Sequence, residues 1–209
     1  MGPPERRERE KQQVRLKILD AARELFAEHG YDAVTMRKIA DKIEYSPTTI
    51  YLHFKDKDDL IRELCSHDFL AFSERFAGIG AITDPLKRFR AAGQAYVDFA
   101  VEYPNHYRLM FMTQQPTDPS PEALARRGDP QKDAYALLRF LIEDGVERGL
   151  SRPELQDVEL VSQTVWAALH GVVSLEIALK RNRDHWIDWA PLKKRVSLMM
   201  DLMLRALLR

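Results

Sequence analysis

The stretch that decides the fold is Thr35-Met-Arg-Lys-Ile-Ala-Asp-Lys-Ile-Glu-Tyr-Ser-Pro-Thr-Thr-Ile-Tyr-Leu-His-Phe-Lys-Asp-Lys57. It contains two helix start signals: Thr35 can cap one helix, and Ser46 followed by Pro47 is a strong start for a second. Only residues 44–46 separate the end of the first helix from the start of the second. Because so short a connection forces a sharp angle, the stretch predicts a helix-turn-helix.

The second helix, predicted to run from Pro47 to about Phe54, has an apolar face and a polar face. Ile50 and Phe54 lie one turn apart, so they should pack against the aliphatic residues of the preceding helix. The outward side chains are short, uncharged and able to hydrogen-bond: Thr48, Thr49, Tyr51 and His53. Such a face suits contact with base edges and phosphates, and the alternative is an ordinary helical hairpin with a polar solvent face.

The residues after this helix favour nucleic acid over the hairpin. Lys55 and Lys57 follow at once, and Asp56 can cap a further helix in which Asp59 completes a capping-box-like pattern. The free amides at the start of that helix attract anions. Together with Lys57 they predict a phosphate-binding site.

The whole stretch resembles the DNA-binding domain of the TetR family of transcriptional regulators. The residues that carry the resemblance are Thr35, Ala40, Ile43, Ser46, Thr49, Ile50, Tyr51, His53, Phe54 and Lys57. The preceding helix also fits, with apolar residues at helical spacing from Ile18 to Phe26 and Gly30 at its end. The match covers roughly residues 14–60. Glu44 departs from the family pattern, which has glycine in the turn, and a positive φ there is strained for glutamate.

The resemblance implies a role for each DNA-facing residue. Arg37, Thr48 and Thr49 are expected to read bases, and Arg37 should dominate specificity because an arginine contact to guanine is bidentate. Pro47 is expected to touch a thymine methyl group or a sugar. The expected backbone contacts are Thr35, Tyr51, His53 and Lys57, and Ser46 and Lys55 complete the predicted DNA-binding set. For His53 a purely structural role beside Phe54 remains the alternative.

Composition and charge limit the other possibilities. The chain has 209 residues, 45% of them apolar, and a formal net charge of zero, which argues against a protein that coats nucleic acid indiscriminately. The basic run of residues 6–17 is interrupted by glutamates, so it is either a DNA-directed arm or a solvated helical lead-in, and we favour the solvated interpretation. We expect a charged arm at 1–13, the helix-turn-helix domain at 14–60, and a ligand-binding and dimerisation domain at 61–209.

Several functional classes have little support in the sequence. Cys65 is the only cysteine, which predicts a reducing compartment without disulfides. The charged start indicates no signal peptide, and the apolar window 160–179 contains Gln163, His170 and Glu176, so a buried helix explains it better than a membrane span. We therefore expect a cytoplasmic protein without a membrane partner.

Catalytic and cofactor motifs are also lacking. The chain has no Gly-x-Ser-x-Gly elbow, no phosphate-binding glycine loop and no His-Glu-x-x-His site. Its six histidines lack the spacing of metal ligands. We predict no cofactor and no metal, and a helical enzyme is only a weak alternative.

Beyond residue 60 the pattern is helical throughout, so the predicted fold class is all-α. A long linking helix is expected at about 57–79, with further helix starts at Pro85 and Pro104. Residues 113–130, rich in proline, predict a long surface loop. The remaining helices are expected at about 131–149, 154–180 and 191–208.

Trp166, His170 and Gly171 resemble the Trp-x-x-x-His-Gly signature of one TetR-family C-terminal domain. Gly171 is expected to permit close approach of another helix. An apolar effector pocket with a few polar anchors is predicted, and its expected residues are Phe89, Tyr96, Tyr103, His106, Tyr107, Met110, Trp166, His170 and Glu176. Ordinary core packing is the alternative for each aromatic residue.

These observations predict a homodimeric regulator that pairs through its last two helices and binds a palindromic operator in double-stranded DNA. Repression, relieved by a small and largely apolar effector, is the expected mode of action. The alternative within DNA-binding proteins is an accessory regulator that needs no ligand.

Overall fold

The computed structural model describes residues 3–113, 119–179 and 187–209. Within these ranges the chain forms ten α-helices, a 3-10 turn at Ile79–Ala81 and one isolated bridge between Ser151 and Leu208, which confirms the all-α prediction. The helices are α1 (Pro3–His29), α2 (Met36–Lys42), α3 (Pro47–Tyr51), α4 (Lys57–Glu74), α5 (Pro85–Glu102), α6 (Pro104–Phe111), α7 (Pro121–Arg126), α8 (Ala134–Glu147), α9 (Val158–Leu179) and α10 (Leu192–Leu207).

The chain divides into two compact units. Unit 1 comprises Met1–Phe69 and Asn105–Ala125, and unit 2 comprises Leu70–Pro104 and Arg126–Arg209. Most of α6 and most of α7 therefore belong to the unit that contains the helix-turn-helix. The functional intervals expected from the sequence, 1–13, 14–60 and 61–209, remain predictions.

Unit 1 is built around the apolar face of α1. Ile18, Ala22 and Phe26 recur at helical spacing and are fully buried, so this stripe fixes α1 against α2, α3 and α4. Gly30 has a φ of 78° and its amide donates to the Phe26 carbonyl at 2.9 Å, which ends α1 as predicted. Leu109 of α6 joins the same core.

Unit 2 packs α5 against α8, α9 and α10. A Cβ atom added at Gly93 of α5 would lie only 2.5 Å from Cε of Met200, so the missing side chain lets α10 approach closely. Arg88 of α5 is almost fully buried and pairs with Asp144 of α8. This ion pair joins α5 to α8 inside unit 2.

Two sequence-based boundaries were wrong. The linking helix ends at Glu74 and not near 79, since the chain turns through residues 75–78 and Gly78 takes a φ of 78°. The segment expected to be loop contains α7, because Ser120 accepts from the Ala123 amide at 3.1 Å ahead of Pro121. Residues 114–118 of that predicted loop, and residue 180 of the predicted helix 154–180, lie outside the described residues.

Helix α9 is the apolar window singled out in the sequence. By length and composition alone it is long and apolar enough to cross a membrane. Its buried residues, Val161, Val165, Leu169, Val173 and Ile177, form one face that packs within unit 2. The opposite face is exposed, so α9 is buried on one side only.

Candidate nucleic-acid interface and effector site

The helix-turn-helix forms through the local signals predicted from the sequence. The Thr35 hydroxyl accepts from the Lys38 amide and the Ser46 hydroxyl accepts from the Thr49 amide, each at 3.2 Å. Ile50 and Phe54 are buried with Ile39, as expected from their spacing. Helix α3 is shorter than predicted: it ends at Tyr51, and the Phe54 amide bonds back to the Ile50 carbonyl at 3.0 Å. The short helix is therefore held at both ends.

The turn between α2 and α3 contains an unusual residue. Glu44 has a φ of 60°, the left-handed conformation expected at a position where the family has glycine. A non-glycine residue in this region costs about 1–2 kcal/mol. The turn keeps its shape because the Tyr45 amide bonds the Ala40 carbonyl at 3.0 Å.

The residues expected to contact DNA lie mostly on the surface of α2 and α3. Arg37 is exposed, and it makes no hydrogen bond or ion pair within the described part of the chain. The other exposed members of the predicted set are Thr35, Ser46, Pro47, Thr48, Tyr51 and Lys55. Thr49 is half-buried, with its hydroxyl 3.0 Å from that of Ser46. The face thus offers the Arg37 guanidinium among hydroxyl groups, although its DNA contacts remain predictions.

His53 is half-buried, and its Nδ1 atom has no hydrogen-bond partner among the described residues. Burial lowers the pKa of His53, and the positive charges of Arg15 and Lys11 lower it further. The imidazole is therefore neutral near pH 7.

Arg15 is a site residue that the sequence analysis missed. Its Nη1 donates to the His53 carbonyl at 2.9 Å, its guanidinium lies 4.4 Å from the centre of the Phe54 ring, and it pairs with Glu63 of α4. These contacts hold the end of α3, the predicted recognition helix, between α1 and α4. The signal was present: Arg15 lies three residues before the core residue Ile18, on the inner face of α1.

The start of α4 forms the predicted capping pattern. Asp56 accepts from the Asp59 amide at 2.8 Å, and the Asp59 carboxylate accepts from the Lys55 amide at 3.1 Å. The Lys57 ammonium donates to the carbonyls of Tyr31 and Val34 at 2.9 and 3.1 Å. One N–H donor of Lys57 therefore remains for a phosphate.

Tyr31 completes this junction. Its ring lies under the Lys57 ammonium, 3.8 Å from ring centre to nitrogen, and its hydroxyl donates to Asp58. Burial and the hydrogen bond to Asp58 raise the pKa of Tyr31 to about 12. Tyr31 and Lys57 thus tie the start of α4 to the connection between α1 and α2.

In unit 2 the structure brings together three of the predicted effector residues. The Trp166 indole donates to the Tyr96 hydroxyl at 3.2 Å, and that hydroxyl lies 3.1 Å from Nδ1 of His170. Burial lowers the pKa of His170, which keeps the imidazole neutral and able to accept from the tyrosine. The result is a row of three hydrogen-bonded side chains, and the ring of Phe72 packs against that of Tyr96.

The other predicted effector residues make different contacts. Phe89 is buried in α5, Tyr103 packs against Phe99, and Glu176 pairs with Arg195 of α10. His106, Tyr107 and Met110 belong to unit 1. There Tyr107 is fully buried, and His106 Nδ1 lies 3.0 Å from Oδ1 of Asp68. The nine expected residues are therefore divided between the two units, and their ligand roles remain predictions.

Two further features of unit 2 bear on ligand binding. A surface groove of about 920 Å³ runs between α5 and α10, lined by residues such as Gln94, Asp98 and Val196. None of the nine predicted effector residues lines this groove. At Gly171, no atom of the described chain comes within 4 Å of the position a Cβ would occupy. The close helix approach expected there does not occur among the described residues.

Within the described residues, no group of three or more histidine, cysteine or acidic side chains is placed to hold a metal ion. The site consists of an exposed, hydrogen-bonding helix pair in unit 1 and an aromatic, hydrogen-bonded cluster in unit 2. Both arrangements offer aromatic or hydrogen-bonding groups to which another molecule could bind.

Two family models match the chain. The model described as bacterial regulatory proteins of the tetR family matches residues 18–64, and a tetracycline repressor-like C-terminal domain matches residues 89–188. The first match contains α2, α3 and the start of α4, and the second contains Tyr96, Trp166 and His170.

Named relatives include both activators and repressors. The transcriptional activator FasR of Mycolicibacterium smegmatis is 38% identical over 49% of this chain and 47% of its own length. The transcriptional repressor KstR2 of Mycobacterium tuberculosis is 26% identical over 73% of this chain and 78% of its own length. The chain thus spans about half the length of the first of these relatives.

Solved structures share the fold across nearly the whole chain. The fatty acid degradation regulator FadR from Bacillus halodurans has a TM-score of 0.68 at 23% identity and covers 91% of this chain and 94% of its own. A protein of unknown function from Rhodococcus sp. RHA1 has a TM-score of 0.69 at 21% identity, with coverage of 94% and 96%. With both family models matched and the fold shared end to end, the chain belongs to the TetR family of DNA-binding transcriptional regulators, a family of non-enzymatic proteins.

Proposed function

We propose that this protein is a dimeric transcriptional repressor that binds a palindromic operator and is released from it by a small, largely apolar effector. The observation that carries the proposal is the capped helix pair α2 and α3. It presents Arg37 and a row of hydroxyl groups to solvent, while its apolar side chains are buried. We expect the protein to act in the cytoplasm.

Base recognition is assigned to Arg37, Thr48 and Thr49, and the remaining predicted residues position the helix on the phosphate backbone. Only Arg37 among the three can make a bidentate contact to guanine, so it should fix one base pair in each half-site. Because Lys57 already donates to two carbonyls, its contribution to DNA binding comes through a single remaining donor together with its charge.

The proposal is tested by selecting binding sites from a random duplex library and measuring affinities by fluorescence anisotropy. Recovered sites should be palindromic, with half-sites about one helical turn apart or a multiple of that spacing. Arg37→Ala should cost about 1–3 kcal/mol on the selected site and relax preference at one position per half-site. Equal losses on selected and random DNA, or no selected site at all, would contradict the assignment.

Dimerisation is supported by the exposed sides of the last two helices. Leu160 and Leu175 of α9 are exposed, as are Leu198 and Leu202 of α10. Gly171, whose Cβ position is open within the chain, lies on the same side of α9 as Leu160 and Leu175 by helical spacing. We propose that a second copy of the chain covers these residues.

Effector binding is assigned to the neighbourhood of Tyr96, Trp166 and His170. The cluster combines aromatic surface with hydrogen-bonding groups, as ligand sites commonly do. A ligand that lowers operator affinity must itself bind more weakly, by the same factor, when the operator is present. Titration of a candidate effector with and without operator measures this factor, and identical dissociation constants would remove the regulatory role.

The relatives include an activator and repressors, so the sign of regulation has a test of its own. We favour repression because a dimer seated on a promoter blocks polymerase without needing any further contact surface. Expression of a reporter placed behind the selected operator should fall when the protein is supplied. A rise in expression would assign activation.

A further inference from the structure

Helix α1 begins well before the core of unit 1. The apolar residues of α1 that join the core begin at Val14 and Ile18. Residues 5–13 extend beyond them as exposed helix. This extension carries the charged run of the sequence, and its charges are not distributed evenly around the helix.

One line of side chains continues the buried face of α1 outward. Arg7, Lys11 and Arg15 are spaced four residues apart, so they lie along the same side of the helix as Ile18. Arg15 marks where this line runs, because it bonds the carbonyl of His53 directly after the recognition helix. Lys11 and Arg7 lie about 6 and 12 Å further along the axis.

Most of the other charged side chains of the extension have partners. Arg6 pairs with Glu10 at 2.8 Å, and Gln12 donates to Glu8 at 2.9 Å. Arg9 also has a partner. Arg7 and Lys11, in contrast, make no hydrogen bond or ion pair within the described part of the chain. The near-zero charge of the run as a whole therefore conceals a cationic face formed by these two side chains.

We infer that Arg7 and Lys11 form a second DNA contact, which binds the phosphate backbone beyond the bases read by the recognition helix. The inference rests on the proposed function, because it extends the surface of α2 and α3 along α1. Charge complementarity with phosphate and continuity with the end of the recognition helix through Arg15 both support DNA as the occupant. Lys11 also lies close enough to His53 to lower the pKa of that histidine.

A solvated extension and a DNA-binding extension differ in their dependence on salt. Each phosphate contact releases counterions and adds about 0.9 to the slope of log affinity against log salt concentration. The probe is a duplex that carries the selected operator and extends past both half-sites with mixed sequence, because the proposed contact does not depend on the flanking bases. The wild-type dimer and its variants are titrated with this labelled duplex over a range of salt concentrations.

The test compares two double variants that remove the same amount of charge. Arg7→Gln with Lys11→Gln should lower the salt slope by about 0.9 for each phosphate that is no longer neutralised, and a dimer carries each of these cations twice. Arg6→Gln with Arg9→Gln removes two cations from the opposite side of the same extension and should leave the slope nearly unchanged. Arg7→Lys with Lys11→Arg should keep the wild-type salt slope, because either side chain supplies the positive charge that binds phosphate.

The outcomes distinguish failure of the inference about Arg7 and Lys11 from failure of the proposed function. If wild-type protein binds the duplex but both Gln pairs weaken binding equally, the effect is general electrostatics and the assigned face is wrong. Unchanged binding in both pairs overturns the inference as well. If wild-type protein binds no duplex, the proposed function fails together with it. Circular dichroism melting checks that all variants keep their helices.

Discussion

At the scale of single residues, the contact between Arg15 and Glu63 predicts the direction in which DNA affinity changes when Glu63 is removed. Glu63 is acidic, so its removal should strengthen DNA binding if long-range charge alone mattered. Glu63 also holds the Arg15 guanidinium, which bonds the His53 carbonyl at the end of the recognition helix. We therefore expect Glu63→Ala to weaken operator binding by about 1 kcal/mol, measured by anisotropy.

The matched control is Glu28→Ala, which removes the same charge from an exposed site on α1. This variant should bind the operator as tightly as wild type or slightly more tightly. Tighter binding by Glu63→Ala would show that Arg15 does not position the helix.

At the scale of helices, Asp68 joins three elements of unit 1. This α4 carboxylate is 1% exposed, accepts from Arg23 of α1 at 3.0 Å and lies 3.0 Å from His106 of α6. Removal of one partner from a buried ion pair costs about 3–5 kcal/mol, because the remaining charge is left unpaired. We expect Asp68→Ala to lower the free energy of unfolding by about 3 kcal/mol in urea denaturation.

Asp20 provides the control, because it is the other carboxylate bound to Arg23 but its side chain is 73% exposed. Asp20→Ala should cost less than about 1 kcal/mol. Similar destabilisation by the two variants would mean that burial does not set the strength of the Arg23 ion pairs.

The sequence predicted individual helices well and their partners poorly. The caps at Thr35, Ser46 and Asp56 are local, so residue order alone identified them. The same Ser-Pro signal occurs at residues 120–121, but the prolines around it are typical of a loop, so α7 was not predicted. The contacts of Arg15 and His106 join residues far apart in the chain, and spacing along one helix carries no information about such pairs.

The candidate effector site shows the same limit. Trp166 and His170 were identified by their resemblance to the Trp-x-x-x-His-Gly signature, whereas their link to Tyr96 follows from packing of α5 on α9. The assignment of His106 and Tyr107 to the same pocket assumed that α6 belongs with α5. In the structure α6 contributes to unit 1 instead, since its Leu109 packs in that core.

At the scale of the whole molecule, operator recognition depends on the proposed dimer. Leu198 and Leu202 of α10 are 60% and 53% exposed, whereas Val196 and Met203 of the same helix are buried within the chain. The outward leucines are therefore available to a second copy, and an interface of at least about 1,000 Å² is expected. Glutamate at either position would bury an unpaired charge in that interface.

We accordingly expect Leu198→Glu and Leu202→Glu to be monomeric in light scattering at micromolar concentration, while wild type is a dimer. A monomer binds one half-site only, so affinity for the palindrome should fall by about 100-fold or more because the second half-site is no longer bound by a linked subunit. Leu86→Glu is the control, because Leu86 is a similarly exposed leucine, at 42%, that belongs to α5 and not to α9 or α10. It should remain dimeric and bind normally. If Leu198→Glu stayed dimeric while keeping its helices, the subunits would pair through another surface, and the exposed sides of α9 and α10 would need a different partner.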